Sequence, residues 1–481
     1  MPLVDSTYLQ ENKDKIKKIF FYRICGAGML PASIILREKY EVAGGDHLFY
    51  PPLSHELEEV GLKTLYLKDI SDKELESYDL LVVGNAVAKG GEDAVRLENL
   101  NVSYTSFPMA LGELILKERA VLGVAGTHGK TTTTYFLTQL FSACKIDSGR
   151  LIGGVIEDDE GAKIGKDDHF FIESDEYDTA YFHKKSKFHF YHLKNVILTS
   201  LEFDHADIFP NLEKMEAEFE ELIPTVTGKI IFNSDYSSVK KVMHRARSSV
   251  IPIEYGLQSA TSYGPFIEKK EETGTSFSLF HPLTKAKCQF STNLTGDHNI
   301  LNLTSALLYA LAEQLPLNKL QRAVLEMKMV KRRQEVRKRE ENRLYIDDFA
   351  HHPRAVALTL ASLKQRYPHH KLLVVFAPLS ATARSNIFQH EFENAIADSA
   401  PSRVIVIDPA RKTTALQGKD LDIIGLNAYL QKKSINSEIV KNPQEAFVAL
   451  KEQTNNHDKE VIVVLSNGDM RAFWEEVSGR A

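Results

Sequence analysis

The sequence predicts an α/β protein of about three domains, built around mainly parallel sheets. Short runs rich in β-branched and aromatic residues alternate with helical patterns along the whole chain, which is typical of parallel sheets covered by helices. With 481 residues and roughly 150 residues per domain, the chain has room for about three domains. Hydrophobic residues make up 43% and charged residues 26% of it, which indicates a globular protein rather than a disordered or fibrous one.

The predicted elements fall into three units, which give domain boundaries of 1–117, 118–331 and 332–481. In the first unit, a strand, a glycine-rich turn and a helix are followed by two more strands; the segments are 19–24, 32–39, 64–67 and 80–83. The second unit opens with a strand at 120–125 that runs into a glycine loop. Weaker patterns at 250–295 predict irregular β-structure. Strands of the third unit are expected at 344–347, 372–376, 404–407 and 461–465.

Charge and cysteine content exclude several classes of protein. The chain has 59 Lys and Arg against 65 Asp and Glu, a net charge of −6, which argues against binding to nucleic acid. Three cysteines far apart in sequence exclude a disulfide framework and favour a reducing compartment. Residues 5–18 are too polar for a signal peptide, and the longest apolar run, 372–379, is too short for a membrane span. We therefore expect a cytoplasmic protein with no membrane partner.

The stretch 331–343 is dense in basic residues and separates the second unit from the third. A basic run can indicate nucleic-acid binding, but this one is short, contains acidic residues and lacks interleaved aromatic residues. We interpret it as a solvated hinge that carries functional arginines.

The strongest chemical signal is a glycine loop between an apolar strand and a helix-like run. Glycines let several backbone N–H groups face one phosphate, and the following helix adds its positive N-terminal end. Lys130 can reach the β- and γ-phosphates, and the Thr131 hydroxyl can hold Mg²⁺. The loop is a variant, since Val124 stands where the usual spacing has glycine. The residues expected at the nucleotide are Gly126, Thr127, His128, Gly129, Lys130, Thr131 and Thr132.

Two further segments offer metal ligands. Glu173 follows the apolar strand 170–172, and a carboxylate at the carboxyl end of a strand beside a phosphate loop is where a Mg²⁺ ligand is expected. A solvated acidic loop is the alternative. His205 follows the strand 196–199 in an acidic segment. Taken alone, a single histidine is more often structural than a ligand.

The N-terminal turn is a broken dinucleotide fingerprint, because Pro31 replaces its third glycine. Asp46 lies about 20 residues further on, where a ribose-binding acid is expected. The turn is either a nucleotide site or an ordinary strand–helix connection. Two other motifs, one containing Asn299 and Asn302 and one containing Asp348 and His352, are not decided by spacing alone.

Together these motifs resemble the Mur ligase family of ATP-dependent amide-forming enzymes, in order and over nearly the whole chain. The resemblance implies a Rossmann-like N-terminal domain, a central P-loop ATPase domain and a Rossmann-like C-terminal domain, with ATP and Mg²⁺ as cofactors. It implies Thr131, Glu173 and His205 as Mg²⁺ ligands and Lys130, Glu173, His205 and Arg333 as catalytic residues. It also implies that Asn299, Asn302, Arg333, Asp348 and His352 lie beside the nucleotide.

Further blocks resemble the branch of the family that joins a murein tripeptide to UDP-N-acetylmuramic acid in peptidoglycan recycling. The most specific of these blocks is Glu176–Phe188. The resemblance implies two groups of binding residues: Cys25, Gly26, Ala27, Gly28, Met29, Asp46 and Asn85 for the UDP-sugar, and Arg384, Ser385 and Asn386 for the peptide. Glu220 occupies the place where several members carry a carbamylated lysine, so we expect none here. We expect a monomer or weak dimer.

Two alternative functions stay open. The same chemistry with free L-alanine as the amine is the nearer one. A nucleotide-gated binding protein, in which hydrolysis only changes shape, belongs to a different class.

Overall fold

In the computed structural model, the described residues are 3–26, 28–49, 57–154, 156, 160–203, 209, 211–259, 262–379, 383–409, 420–452 and 458–479. Three large sheets follow one another along the chain and carry helices on their faces. Most neighbouring strands in these sheets are parallel, which confirms the predicted α/β class. No helix in the described ranges combines the length and the apolar character that a membrane span needs.

The N-terminal sheet has five parallel strands in the order β3-β2-β1-β4-β5. Its strands are β1 Lys18–Tyr22, β2 Glu41–Asp46, β3 Lys63–Tyr66, β4 Leu80–Val83 and β5 Tyr104–Ser106. Its helices are Ser6–Asn12, Met29–Arg37, Asp72–Leu75, Glu92–Asn99 and Phe107–Leu111. Because the strand order reverses between β1 and β4, the turn after β1 opens at the switch point where such sheets bind ligands.

The central domain is built on a seven-stranded sheet in the order β14-β13-β12-β6-β9-β7-β8. Its strands, with the hairpin β10–β11, are β6 Ala120–Ala125, β7 Gly149–Leu151, β8 Ala162–Lys163, β9 His169–Ser174, β10 Asp178–Ala180, β11 His183–Ser186, β12 Asn195–Leu198, β13 Ile230–Asn233 and β14 Ile253–Tyr255. The main helices of this domain are Lys130–Ala143, Leu212–Leu222, Ser237–Arg245, Asp297–Ala312 and Leu317–Leu325. β6 lies between β12 and β9, so the ends of all three strands meet at one edge.

The segment of weak patterns forms an ordered antiparallel sheet rather than irregular structure. Its three strands are β15 Phe266–Glu271, β16 Gly274–Phe280 and β17 Lys287–Thr292. The pattern was weak because four consecutive residues of β15 are exposed, so that strand lacks the alternation of a half-buried strand.

The C-terminal sheet has six strands in the order β18-β19-β23-β20-β21-β22. They are β18 Glu335–Arg339, β19 Arg343–Asp348, β20 Lys371–Phe376, β21 Arg403–Ile407, β22 Asn436–Val440 and β23 Glu460–Leu465. The accompanying helices are Pro353–Arg366, Gln389–Asp398, Ile423–Lys432, Pro443–Glu452 and Arg471–Ser478.

The prediction of a solvated hinge over 331–343 is wrong for the middle of that stretch. Residues 335–339 form β18, which pairs with β19 in antiparallel register. Charged side chains are common on edge strands, where they discourage pairing with other chains. The dense charge therefore belongs to the edge of a sheet.

Candidate active site

The phosphate loop takes its shape from two glycines in left-handed backbone conformations. Gly126 has a φ of 122° and Gly129 a φ of 83°, a region that glycine enters at little cost. A Cβ at Gly126 would lie 2.4 Å from the Ser200 carbonyl oxygen, and one at Gly129 would lie 2.4 Å from Asn302 Oδ1. The helix that starts at Lys130 follows directly, so its N-terminus points along the loop.

Lys130 is buried among acceptors at the start of this helix. Its Nζ donates to the Gly126 carbonyl at 2.6 Å and lies 3.3 Å from Glu176 Oε2 and 3.5 Å from Asp175 Oδ1. Burial lowers the Lys130 pKa, but the neighbouring carboxylates, Glu176 foremost, outweigh burial and hold the pKa above its ordinary value. Lys130 is therefore a permanent cation at neutral pH.

Glu173 and Thr131 meet beside Lys130. Thr131 Oγ1 donates to Glu173 Oε2 at 2.8 Å, and the Gly153 amide donates to Glu173 Oε1 at 2.6 Å. Burial and the charge of Asp175 raise the Glu173 pKa above its usual range. A nearby cation would stabilise the ionised form of such a carboxylate. The pair of a hydroxyl and a carboxylate oxygen fits the preference of Mg²⁺ for oxygen ligands.

A cavity of about 390 Å³ opens between the phosphate loop and the C-terminal domain. The structure brings twelve of the residues predicted for the nucleotide or metal to its wall: Thr127, His128, Gly129, Lys130, Thr131, Thr132, Glu173, Asn299, Asn302, Arg333, Asp348 and His352. Gly126 immediately precedes them in the loop. His205 and Ala27 lie outside the described residues.

Arg333 enters this cavity from the chain that connects the central and C-terminal domains. It is half-buried, and its guanidinium lies over the Phe349 ring at 5.1 Å from the centroid. Loss of contact with water lowers its pKa, and Asp348 opposes that shift. Asp348 is itself fixed, because it accepts from the amides of Gln334 and Ala350 at 2.8 Å each. The positive charge of Arg333 thus faces the cavity from the side opposite the central sheet.

His298 lines the same cavity. It belongs to the motif that contains Asn299 and Asn302, but no role of its own was predicted for it from the sequence. Burial lowers the pKa of His298 to about 4, and the charge of Arg333 acts in the same direction. The imidazole is therefore neutral at pH 7. It can offer a hydrogen bond to a nucleotide without adding positive charge.

The depressed pKa of His298 predicts a change in stability with pH. In the unfolded chain the imidazole binds a proton below about pH 6.5, whereas in the folded protein it does so only below about pH 4. The free energy of unfolding should therefore fall as the pH drops from 6.5 towards 4, by about 2–3 kcal/mol from this group. Urea unfolding at pH 7 and at pH 4.5 measures this change. Between these two pH values, the free energy of unfolding should fall by about 2–3 kcal/mol less in His298→Gln than in the parent protein. An equal loss in both proteins would contradict the assignment.

The N-terminal turn forms a separate site at the switch point of the first sheet. The predicted acid, Asp46, accepts from the Cys25 amide at 2.9 Å and from the His47 amide at 2.8 Å, and faces Arg23 Nε at 3.2 Å. Gly26, Gly28 and Met29 continue the turn into the helix. Asn85 lies after β4, and its side chain donates to the Asp178 carbonyl of the central domain at 2.7 Å.

The predicted peptide residues form a third group, in the C-terminal domain after β20. The Arg384 carbonyl accepts from the Leu421 amide at 2.7 Å, and Ser385 pairs with Asp420 in an isolated β-bridge. The backbone of this turn is therefore held at both residues. Among the described residues, Arg384 Nε has no hydrogen-bond partner although it is buried. Asn386 begins a short 3₁₀ turn on the surface.

Comparisons with known proteins cover all three domains. Family models match residues 18–119 (Mur ligase family, catalytic domain), 124–310 (Mur ligase middle domain) and 332–473 (Mur ligase, glutamate ligase domain). The UDP-N-acetylmuramate--L-alanyl-gamma-D-glutamyl-meso-2,6-diaminoheptandioate ligase of Haemophilus influenzae is 30% identical, over 96% of this chain and 98% of its own. The Escherichia coli protein of the same name is 32% identical, over 82% and 85%.

A solved structure agrees with these relatives. The crystal structure of a murein peptide ligase from Psychrobacter arcticus superposes with a TM-score of 0.66 at 26% identity, and the match covers 96% of this chain and 98% of that one. The family models together span most of the chain, and they fall in the order of the three sheets. The chain therefore belongs to the Mur ligase family.

Proposed function

We propose that this protein is an ATP-dependent ligase that joins L-alanyl-γ-D-glutamyl-meso-diaminopimelate to the lactyl carboxylate of UDP-N-acetylmuramic acid in peptidoglycan recycling. The main structural support is the cavity in which Lys130 and Glu173 of the central domain face Arg333 of the domain connection. A further support is the similarity, along nearly the full length, to relatives whose names state that reaction.

The first step of the proposed reaction is phosphoryl transfer. A carboxylate oxygen of the UDP-sugar attacks the γ-phosphorus of ATP, an O–P bond forms, the bond to the β-phosphate oxygen breaks, and ADP leaves. This chemistry depends mainly on positioning and charge neutralisation. Lys130 would neutralise the β- and γ-phosphates from the loop, and Arg333 would do so from the opposite wall.

We place Mg²⁺ at Thr131 and Glu173, with His205 as a further ligand. When bound, the ion would neutralise negative charge on the phosphate oxygens. The fit rests on the Thr131 hydroxyl and the Glu173 carboxylate, which lie 2.8 Å apart in a half-buried position beside the phosphate loop.

In the second step, the amine of the peptide attacks the acyl-phosphate carbon. A C–N bond forms and the C–O bond to phosphate breaks. The nitrogen loses one proton, which the departing phosphate can accept, and the products are the amide and inorganic phosphate. We place the UDP-sugar at the N-terminal turn, through Cys25, Gly26, Ala27, Gly28, Met29, Asp46 and Asn85. The peptide would approach from the C-terminal domain, past Arg384, Ser385 and Asn386.

One assay separates the proposed function from its alternatives. ADP release is measured with ATP, Mg²⁺ and UDP-N-acetylmuramic acid, with either the tripeptide or L-alanine as acceptor, and the product is identified by mass spectrometry. A tripeptide adduct with little reaction of L-alanine supports the proposal. An L-alanine adduct alone would make the protein an L-alanine ligase, and ADP release without an amide would indicate a nucleotide-gated binding protein.

Arg384→Ala is expected to weaken use of the tripeptide by about 1.5–3 kcal/mol in kcat/KM, the range for a hydrogen bond to a charged group. The tripeptide carries carboxylates that L-alanine lacks, and the planar guanidinium suits a carboxylate. The KM values for ATP and UDP-N-acetylmuramic acid should barely change. Arg366→Ala, an arginine at the end of a helix in the same domain, is the control. An equal loss for all three substrates would contradict the role.

A further inference from the structure

Glu202 joins the phosphate loop to the C-terminal domain. One carboxylate oxygen, Oε2, lies 3.1 Å from His128 Nε2 in the loop. The other, Oε1, accepts from Arg354 Nη1 at 2.7 Å. Arg354 belongs to the first turn of the helix Pro353–Arg366 in the C-terminal domain. A single carboxylate therefore contacts both sides of the nucleotide cavity.

The backbone of Glu202 is fixed to the loop as well. Thr127 Oγ1 accepts from the Glu202 amide at 2.9 Å and donates to the Glu202 carbonyl at 3.1 Å. These two bonds tie Glu202 to the residue that precedes His128. The backbone of Glu202 is thus fixed by the loop, whereas its carboxylate is held by the side chains of His128 and Arg354.

Arg354 has a second contact with the central domain. Its guanidinium lies over the Tyr236 ring, 4.4 Å from the centroid, within the range of a cation–π interaction. Nearby, the rings of His128 and His352 lie 5.0 Å apart across the same junction. The start of this C-terminal helix thus meets the central domain at two side chains: Arg354 contacts Glu202 and Tyr236, and His352 lies against His128 of the phosphate loop.

The charge on Glu202 suits this arrangement. Burial would raise the Glu202 pKa, but His128, Arg354 and His352 together outweigh burial and lower it. Glu202 is thus ionised at neutral pH and can accept two strong hydrogen bonds at once. His128, Glu202 and His352 also bring their ligand atoms within 4.8 Å of one another. The Arg354 guanidinium against the same carboxylate disfavours a metal cation there.

We propose that Glu202 is a positioning residue, which orients the His128 imidazole in the phosphate cavity and does so fully only when Arg354 of the C-terminal domain docks on it. Docking of the peptide-binding domain is thereby transmitted to the phosphate loop. The inference rests on the proposed function, because it assumes that His128 faces the reacting phosphate.

The partial exposure of the Glu202–Arg354 ion pair allows an effect on catalysis to be distinguished from an effect on folding stability. The Arg354 side chain is 45% exposed, and partly exposed ion pairs contribute little to folding stability. Loss of the pair should therefore lower kcat while leaving the urea midpoint of unfolding nearly unchanged.

The test is a double-mutant cycle with Glu202→Gln and Arg354→Met in the full-length protein. We expect each variant to lower kcat for ligation by about 10- to 100-fold, with the KM for ATP within about threefold of the parent value. The double variant should be no slower than the slower single variant, because both remove one linked contact. Glu220→Gln and Arg245→Met, an ion pair 3.2 Å apart within the central domain, are the matched controls.

Small-angle X-ray scattering with a non-hydrolysable ATP analogue gives a readout that does not depend on ligation. We expect Arg354→Met to be less compact than the parent protein. If the parent protein forms no amide but Arg354→Met is still less compact, the proposed function is refuted and the interdomain contact is supported. A parent that ligates while Glu202→Gln keeps kcat within twofold, or a double variant whose losses are additive, would overturn the role of Glu202.

Discussion

Replacement of Lys130 by alanine is expected to lower kcat for ligation by about 10²- to 10³-fold, equivalent to about 3–4 kcal/mol of transition-state stabilisation. The side chain is a cation held beside the phosphate loop, where we propose that charge develops on the transferred phosphoryl group. The backbone cradle formed by Gly126 and Gly129 stays in place, so the nucleotide should still bind. Steady-state kinetics with the tripeptide, together with nucleotide titration, measures the two effects separately.

The same substitution also has a cost in stability. Glu176, whose side chain is fully buried, lies 3.3 Å from the Lys130 ammonium, and removal of one partner of a buried pair leaves the other charge uncompensated. Circular dichroism should show a folded protein, and Lys163→Ala, which breaks an ion pair with Asp147 away from the cavity, is the control for loss of a lysine. Near-normal turnover of Lys130→Ala would contradict the assignment of the phosphate site.

Replacement of Glu173 by alanine is expected to lower ligation strongly, with only partial recovery in excess Mg²⁺. Outer-shell partners of a metal typically contribute about 10- to 100-fold in metal affinity, and a direct ligand should contribute at least as much. Thr131 would keep its hydroxyl at the site but lose the acceptor 2.8 Å away. The measurement is kcat as a function of Mg²⁺ concentration at saturating ATP.

Two companion variants sharpen this prediction. His205→Ala should give a similar Mg²⁺ dependence, since the family resemblance implies His205 as a further ligand beside Thr131 and Glu173. Glu220→Gln removes a carboxylate that pairs with Arg245 on the surface of the central domain and should leave the Mg²⁺ dependence unchanged. If Glu173→Ala retains the Mg²⁺ dependence of the parent protein, Glu173 is not a ligand.

The phosphate loop was predictable because its signals are local. An apolar strand, two glycines in left-handed conformations and a helix follow one another between Ala120 and Ala143, so one short window contains the whole motif. The same holds for Glu173, which stands at the carboxyl edge of β9, next to β6 in the sheet.

Contacts between segments far apart in the chain could not be predicted from the spacing of residues. Glu202 and Arg354 are 152 positions apart, and neither residue type is unusual where it stands. Asp46 has the spacing of a ribose-binding acid, but that spacing did not predict that its carboxylate accepts from the Cys25 and His47 amides. Which partner a carboxylate takes depends on how the chain returns to it, and local sequence does not encode that.

For the charged stretch after residue 331, the sequence signal was local but was given the wrong structural interpretation. High charge density was interpreted as solvated structure, but pairing with β19 satisfies the backbone of Glu335–Arg339 on one side. The side chains there alternate between half-buried and exposed positions. An edge strand and a solvated linker have similar composition, so composition could not distinguish them.

The connection between the central and C-terminal domains restricts where the two can pivot. Arg332 donates through Nη2 to the Ser466 carbonyl at 2.6 Å, and its own carbonyl accepts from the Phe349 amide at 2.7 Å. On the other side, Val330 is buried against central-domain side chains, and Lys328 exchanges backbone hydrogen bonds with the Gln139 side chain.

We therefore expect any rotation of one domain against the other to occur in the short backbone segment between Val330 and Arg332. Arg333 lies beyond that point, so it moves as a rigid part of the C-terminal domain. An exchange of C-terminal domains between relatives would therefore need its junction at Lys331. A junction two or three residues later would leave the arginine of one parent against the Asp348 pocket of the other.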